Sequence, residues 1–213
     1  MEGVSPSNFL FSRSLGYTFS VILVDPRSPD TWVEKALQFI ENNLENSGVE
    51  EVLPKLRQLS ASGRIRVRDI GPNKLGGYNR LTGRITLNSS KFGFLRRDFR
   101  RQLEGLEASD ASEERLRLVR EQHALAVLEL SGVLIHEGQH ALRFLWNRAA
   151  DETSAFRTEQ RWYYHLHTLE SPLRNAIESL ARDAEYDASN SPSYLGVRVN
   201  APCLIEVRAE RHG

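Results

Sequence analysis

Val133-Leu134-Ile135-His136-Glu137-Gly138-Gln139-His140-Ala141-Leu142 is the stretch from which the rest of the chain is read. His136 and His140 stand four residues apart, so on a helix their imidazoles share one face, a turn apart. Glu137 lies one residue round from the first of them. The neighbours at 133, 134, 138, 139, 141 and 142 are all uncharged, which marks a buried helix. Burying two imidazoles and a carboxylate without partners is costly. Ordinary hydrogen bonds within a helix would leave that burial unexplained, whereas a shared divalent cation explains it. Zinc takes nitrogen from histidine and oxygen from carboxylate, and its catalytic sites keep three protein ligands and an open fourth position for water. Glu137 is then placed to take a proton from that water and pass it to a leaving amine.

Working outward, Asp110 and Glu113 have the spacing of a capping box. Leu116, Val119, Val127, Leu130, Leu134, Ala141 and Leu145 continue a helical stripe, one long helix or two abutting ones with Gly132 as the weak point. After a link at 147–150 a helix is expected from about Asp151 to His167, and Pro172 opens another reaching Tyr186. Towards the N-terminus, residues 17–24 read as a strand closed by Asp25-Pro26. Ser28-Pro29 offers a helix start, and Trp32, Ala36, Phe39, Ile40 and Leu44 repeat at helical spacing until Gly48. Residues 64–70 and 83–88 alternate charged and apolar side chains, with Gly76-Gly77 as a turn signal between them, and predict a hairpin or two neighbouring strands. Leu204 to Val207 reads as a last strand. The fold expected is α+β, mostly helical, with a small sheet.

The 213 residues suit a single domain spanning 1–213. Lys plus Arg and Asp plus Glu both total 28, so no global charge pulls the chain towards nucleic acid or an anionic membrane. Arg96, Arg97, Arg100 and Arg101 lie among Phe92, Phe94, Leu95, Phe99 and Leu103, and helical spacing separates them into a solvated basic face and a packing face. No nucleic-acid partner is expected. The short apolar run from Phe19 to Val24 follows Glu2 rather than a basic cluster, which fits neither a signal peptide nor a membrane span and predicts a cytoplasmic location. Cys203 is the one cysteine. It excludes an intramolecular disulfide and a thiolate-rich zinc site, and its expected role is a small buried side chain rather than a zinc cap.

A third ligand remains to be found. The extended pattern HExxHxxGxxH is broken by Arg143 and Trp146. Downstream, Glu152, Ala155 and Glu159 share one face of the next predicted helix. In this arrangement the chain, from about Gly83 to Tyr164, resembles the gluzincins, HExxH zinc peptidases whose third ligand is a glutamate on a following helix, often within Glu-x-x-Ala. The resemblance implies a zincin-like site in which Zn2+ is held by His136, His140 and Glu152. Glu152 carries the Glu-x-x-Ala signature and follows His140 by 12 residues; Glu159 follows by 19 and is the alternative third ligand, or the acceptor of a ligand's remaining N–H.

Tyr163 continues the face of Glu152, Phe156 and Glu159, and is read either as a phenol that stabilises an oxyanion or as core packing. His165 and His167 are alternative electrophiles. The resemblance further implies that a peptide lies antiparallel to an exposed strand before the active-site helix, for which Ile85, Thr86, Leu87 and Asn88 are the candidates. The expected activity is hydrolysis of peptide bonds by a zinc metallopeptidase with a narrow intracellular protein or peptide target. Two other readings stay open: a regulatory or scaffolding module that keeps the fold without turnover, and a zinc hydrolase of a non-peptide amide.

Overall fold

The computed structural model describes residues 20–28, 31–71, 74–92, 98–143 and 148–190. In chain order the elements are α1 (Trp32–Asn42), α2 (Val52–Ala61), β1 (Ile65–Arg68), β2 (Gly76–Asn79), β3 (Arg84–Asn88), α3 (Phe99–Ala108), α4 (Glu113–Leu142), α5 (Arg148–Thr168) and α6 (Arg174–Asn190). The architecture is α+β and mostly helical, with one small sheet. Among the described residues no helix is long and apolar enough to cross a membrane.

The stripe from Leu116 onward forms one unbroken helix of 30 residues, and α1, α2, α3, α5 and β2 all pack on it. Its apolar side chains, Val127, Leu128, Leu130, Leu134 and Ile135 among them, are almost wholly buried. Gly132 does not break the helix. A Cβ there would stand 1.8 Å from the Tyr163 hydroxyl, so glycine lets α5 approach. Gly138 serves α2 in the same way, since a Cβ would meet Val52 at 2.6 Å. The expected capping box is corrected: Ser112 is the N-cap, and Asp110 sits before it in a turn with φ +53°. The α1 helix starts from Thr31, whose hydroxyl accepts the Glu34 N–H at 3.3 Å.

The sheet departs from expectation in two ways. Gly76-Gly77 does not turn but begins β2, and the strand order is β1-β3-β2. Residues 64–70 and 83–88 do contribute neighbouring strands, yet β1 and β3 are parallel, while the hairpin joins β2 to β3 through residues 80–83. Ile85, Thr86, Leu87 and Asn88 therefore lie in the central strand, with Ile85, Leu87 and Asn88 fully buried. A strand paired on both edges has no free N–H and C=O row, so their assignment as the peptide-accepting strand is overturned.

Of the expected strand at 17–24, residues 17–19 lie outside the described residues. The remainder makes one parallel bridge, Ser20 to Glu170, and does not join the sheet. Asn43 replaces the missing partner: its side chain accepts the Ile22 N–H at 2.8 Å and donates to the Ile22 carbonyl at 2.9 Å. Arg96, Arg97, Cys203 and the expected strand 204–207 are also outside the described residues. Arg100 and Arg101 pair with Glu104 and Asp98 around α3.

Candidate metal centre

Helices α4 and α5 run antiparallel, and a ladder of polar contacts fixes their register. Trp162 Nε1 donates to Ser131 Oγ at 3.0 Å, and Gln139 Nε2 donates to Ser154 Oγ at 3.2 Å. This register brings the N-terminal half of α5, with Asp151, Glu152 and Glu159, against the last turns of α4. Ala155, between these acids, is fully buried.

His136 and His140 turn their Nε2 atoms towards each other, 3.2 Å apart. Glu152 Oε2 lies 3.5 Å from each of them. On the far side of each ring stands a different carboxylate. Glu159 Oε2 is 3.2 Å from His136 Nδ1, and Asp151 Oδ2 is 2.7 Å from His140 Nδ1. An ionised carboxylate can only accept, so each Nδ1 carries the proton that it donates. In the neutral rings, both Nε2 lone pairs then converge with a carboxylate oxygen, and no hydrogen lies among the three atoms. Three acceptors at this range repel unless positive charge sits between them, either a proton on His136 that hydrogen-bonds to Glu152 or a shared metal ion.

The spacing suits zinc. A tetrahedral ion with bonds of about 2.0–2.1 Å holds its ligand atoms about 3.3–3.4 Å apart, close to the 3.2, 3.5 and 3.5 Å found. Among the described residues, His136, His140 and Glu152 are the group of nitrogen and oxygen donors close enough together to share one ion. Both ring side chains are nearly buried, and Glu152 is the more exposed of the three donors.

The electrostatics show the same demand for positive charge. Burial pulls the His136 pKa down, but hydrogen bonds to Glu152 and Glu159 and the charge of Glu137 overcome it and carry the pKa up to about 10. Burial raises the Glu152 carboxyl, and the two histidines outweigh that and hold it well below the usual carboxylate range. Glu137 is pushed up by burial, which the charges of His136 and His140 only partly offset. A carboxylate kept from easy ionisation is a better proton acceptor once it is ionised.

Glu137 lies between the rings and β2: the charges of His136, His140 and Glu152 act on its carboxylate, which also accepts the Tyr78 backbone N–H. A Cβ on Gly76 would be 3.3 Å from Glu137 Oε1 and 3.1 Å from Val133, so a side chain there would press on α4 and its neighbours would have to shift. Tyr163 is fully buried with its hydroxyl over Gly132, a full turn before His136, and this placement gives its proposed oxyanion role no support. His165 donates or accepts at Nε2 with the Asn43 carbonyl as its 3.0 Å neighbour, which makes it the donor, and it stacks on Trp162; it ties α5 to the end of α1. The cleft of about 760 Å³ beside it, lined in part by Ile22, Asn43, Arg161 and Tyr164, contains none of the metal-centre residues.

Two members of the centre escaped the sequence reading. Asp151 carries a weak signal, an acid next to Glu152 in the first turn of α5. Arg80, which pairs with Asp151, carries none, being 71 residues away along the chain. Comparison of the chain with protein-family models, with curated proteins and with solved structures found no match.

Proposed function

We propose that the chain is a zinc-dependent peptidase whose ion is held by His136, His140 and Glu152. The observation that carries this reading is the convergence of two imidazole lone pairs and one carboxylate oxygen at zinc-like spacing, with each ring anchored from behind by its own acid. When bound, zinc supplies a Lewis acid that polarises a carbonyl and lowers the pKa of water. The remaining chemistry falls to the protein. Glu137 accepts a proton from the attacking water and returns it to the departing nitrogen. Asp151 and Glu159 hold the ring tautomers that keep both Nε2 atoms available.

The sheet supports a place for the peptide. The Asn88 N–H donates to the Leu75 carbonyl at 2.9 Å, which fixes the phase of the antiparallel ladder. Gly77 and Asn79 then exchange hydrogen bonds with β3, and Gly76 and Tyr78 direct theirs to the outer edge. Among the described residues that edge carries no further strand. An extended peptide added there runs past Glu137, whose carboxylate accepts the Tyr78 N–H on that edge and leaves Gly76 to pair with the peptide. The peptide-accepting strand is thus β2 rather than β3.

The test is digestion of a proteome-derived peptide library by zinc-loaded protein, with new termini read by mass spectrometry. Wild type should generate new termini, and Glu137→Gln at equal zinc content should do so at least about 100-fold more slowly. Equal yields from the two proteins, or a wild-type chain that binds no zinc, would remove the proposal. Cleavage of small amides with no cleavage of peptides would favour the non-peptide hydrolase.

A further inference from the structure

Arg80 follows directly on Asn79, the last residue of β2, and its guanidinium pairs with Asp151. It meets the same oxygen, Oδ2, that accepts the N–H of His140 at 2.7 Å. Asp151 has a side chain only 4% exposed and is followed in the chain by the acid Glu152. A buried acid in such company is held in place only if a positive group meets it. Arginine suits the task because it stays charged and presents a planar fork to the carboxylate.

We propose that Arg80 is a positioning residue of the metal centre, fastening the end of β2 to the ligand His140 through Asp151. The proposal rests on the zinc-peptidase reading and adds a coupling to it. The chain from strand to ligand is short: Gly76 to Asn79 offer the outer edge, Arg80 leaves that strand, Asp151 takes the guanidinium, and His140 takes its orientation from Asp151. Without Arg80 the Asp151 carboxylate is free to turn, and the His140 ring loses the acceptor that directs its Nε2 towards His136 and Glu152. The structure thereby gives β2 a part in holding the ion as well as in presenting a peptide.

The experiment measures zinc affinity by competition with a chromophoric chelator, and the visible spectrum of the cobalt-substituted protein, in wild type, Arg80→Ala, Arg80→Gln, Asp151→Asn and the Arg80→Ala/Asp151→Asn double variant. Loss of an outer partner of a metal ligand typically weakens binding by about 10- to 100-fold. Arg80→Ala and Asp151→Asn should each lose at least about 10-fold in zinc affinity and alter the cobalt bands. The double variant should lose little more than either alone. The metal-free Arg80→Ala form should also melt somewhat lower, because a buried carboxylate loses its cation; the altered cobalt bands are the readout that a merely structural role would not move. Should Arg80→Ala not fold, Arg80→Gln decides by the same loss. Wild-type affinity in the Arg80 variants, or additive losses in the double variant, overturns this proposal alone. A wild-type protein that binds no zinc, or His136→Ala binding it as tightly as wild type, overturns the reading beneath it.

Discussion

Three histidines of α4, His123, His136 and His140, have side chains withdrawn from solvent, and what separates them is the company each ring keeps. His136 and His140 are ringed by acids. His123 lies between Trp32 and Phe99, with ring centroids 5.4 and 5.6 Å away, and among the described residues neither of its nitrogens has a hydrogen-bond partner. Burial, with a smaller contribution from the charge of Lys35, lowers its pKa to about 3. The unfolded chain binds this proton near pH 6.5 and the folded chain only near pH 3, so the neutral ring's contribution to stability is complete above about 6.5 and drains away as pH falls towards 3. In urea unfolding, His123→Phe should therefore gain on wild type by about 2 kcal/mol between pH 7 and pH 5. Parallel stability curves for the two proteins would show that the ring does not titrate in this way. The amino-acid sequence cannot separate these histidines by burial, since all sit in one apolar helix. The four-residue spacing does separate them, because it alone puts two rings on a common face. For the acids the limit was different: Glu152 and Glu159 were visible as a helical face, whereas the place of Asp151 behind His140 depends on the tilt of α5 against α4.

At the scale of elements, legibility followed the period of burial. The α1, α4, α5 and α6 helices each bury a stripe against neighbours and so announce themselves in sequence. The α2 helix buries Val52, Leu53, Leu56 and Leu59, yet Pro54 near its start and a polar remainder hid the pattern. Strand β2, Gly-Gly-Tyr-Asn, has no alternation at all, because its first glycine answers to the nearness of Glu137 and Val133 rather than to the sheet. Gly76 and Gly132 were read locally, as a turn and a weak point, while in the structure each lies where another element comes close. Gly132→Ala tests this. Local propensity predicts a gain of about 1 kcal/mol, since alanine is the better helix former. The fully buried Tyr163 ring has nowhere to retreat from a Cβ 1.8 Å from its hydroxyl, and overpacking of this kind costs about 1–3 kcal/mol or more. A net loss is expected in denaturant unfolding, largely relieved by adding Tyr163→Leu. A stabilised Gly132→Ala would mean that α5 does not press on α4 at this point.

The described residues are organised around α4, and the candidate metal centre lies where α4, α5 and β2 meet. Contacts around α4 and α5 join residues far apart in the chain, Glu51 at the start of α2 with Arg143 and Arg80 after β2 with Asp151 among them, and no local pattern foretells such pairs. The carboxylates at the centre make this junction a weak point without a cation: Glu137 of α4 and Glu152 of α5 repel each other, and that repulsion works against the docking of α5. An ion shared by His136 and His140 of α4 and Glu152 of α5 would turn that repulsion into a cross-link. Its effect on unfolding follows from mass action, because the unfolded chain has no assembled site. Free zinc at about a thousand times its dissociation constant adds about 4 kcal/mol. For a chain of this length each kcal/mol moves the melting midpoint by about 2–4 °C. Chelation should then lower the midpoint of the wild-type protein by roughly 8–16 °C. His136→Ala and His140→Ala should melt at the same temperature with and without chelator. Calcium or magnesium should not restore the lost stability, since two imidazoles suit neither ion. An identical wild-type melt before and after chelation, with zinc shown by metal analysis to have been present and then removed, would mean that α4 and α5 are held together without the ion.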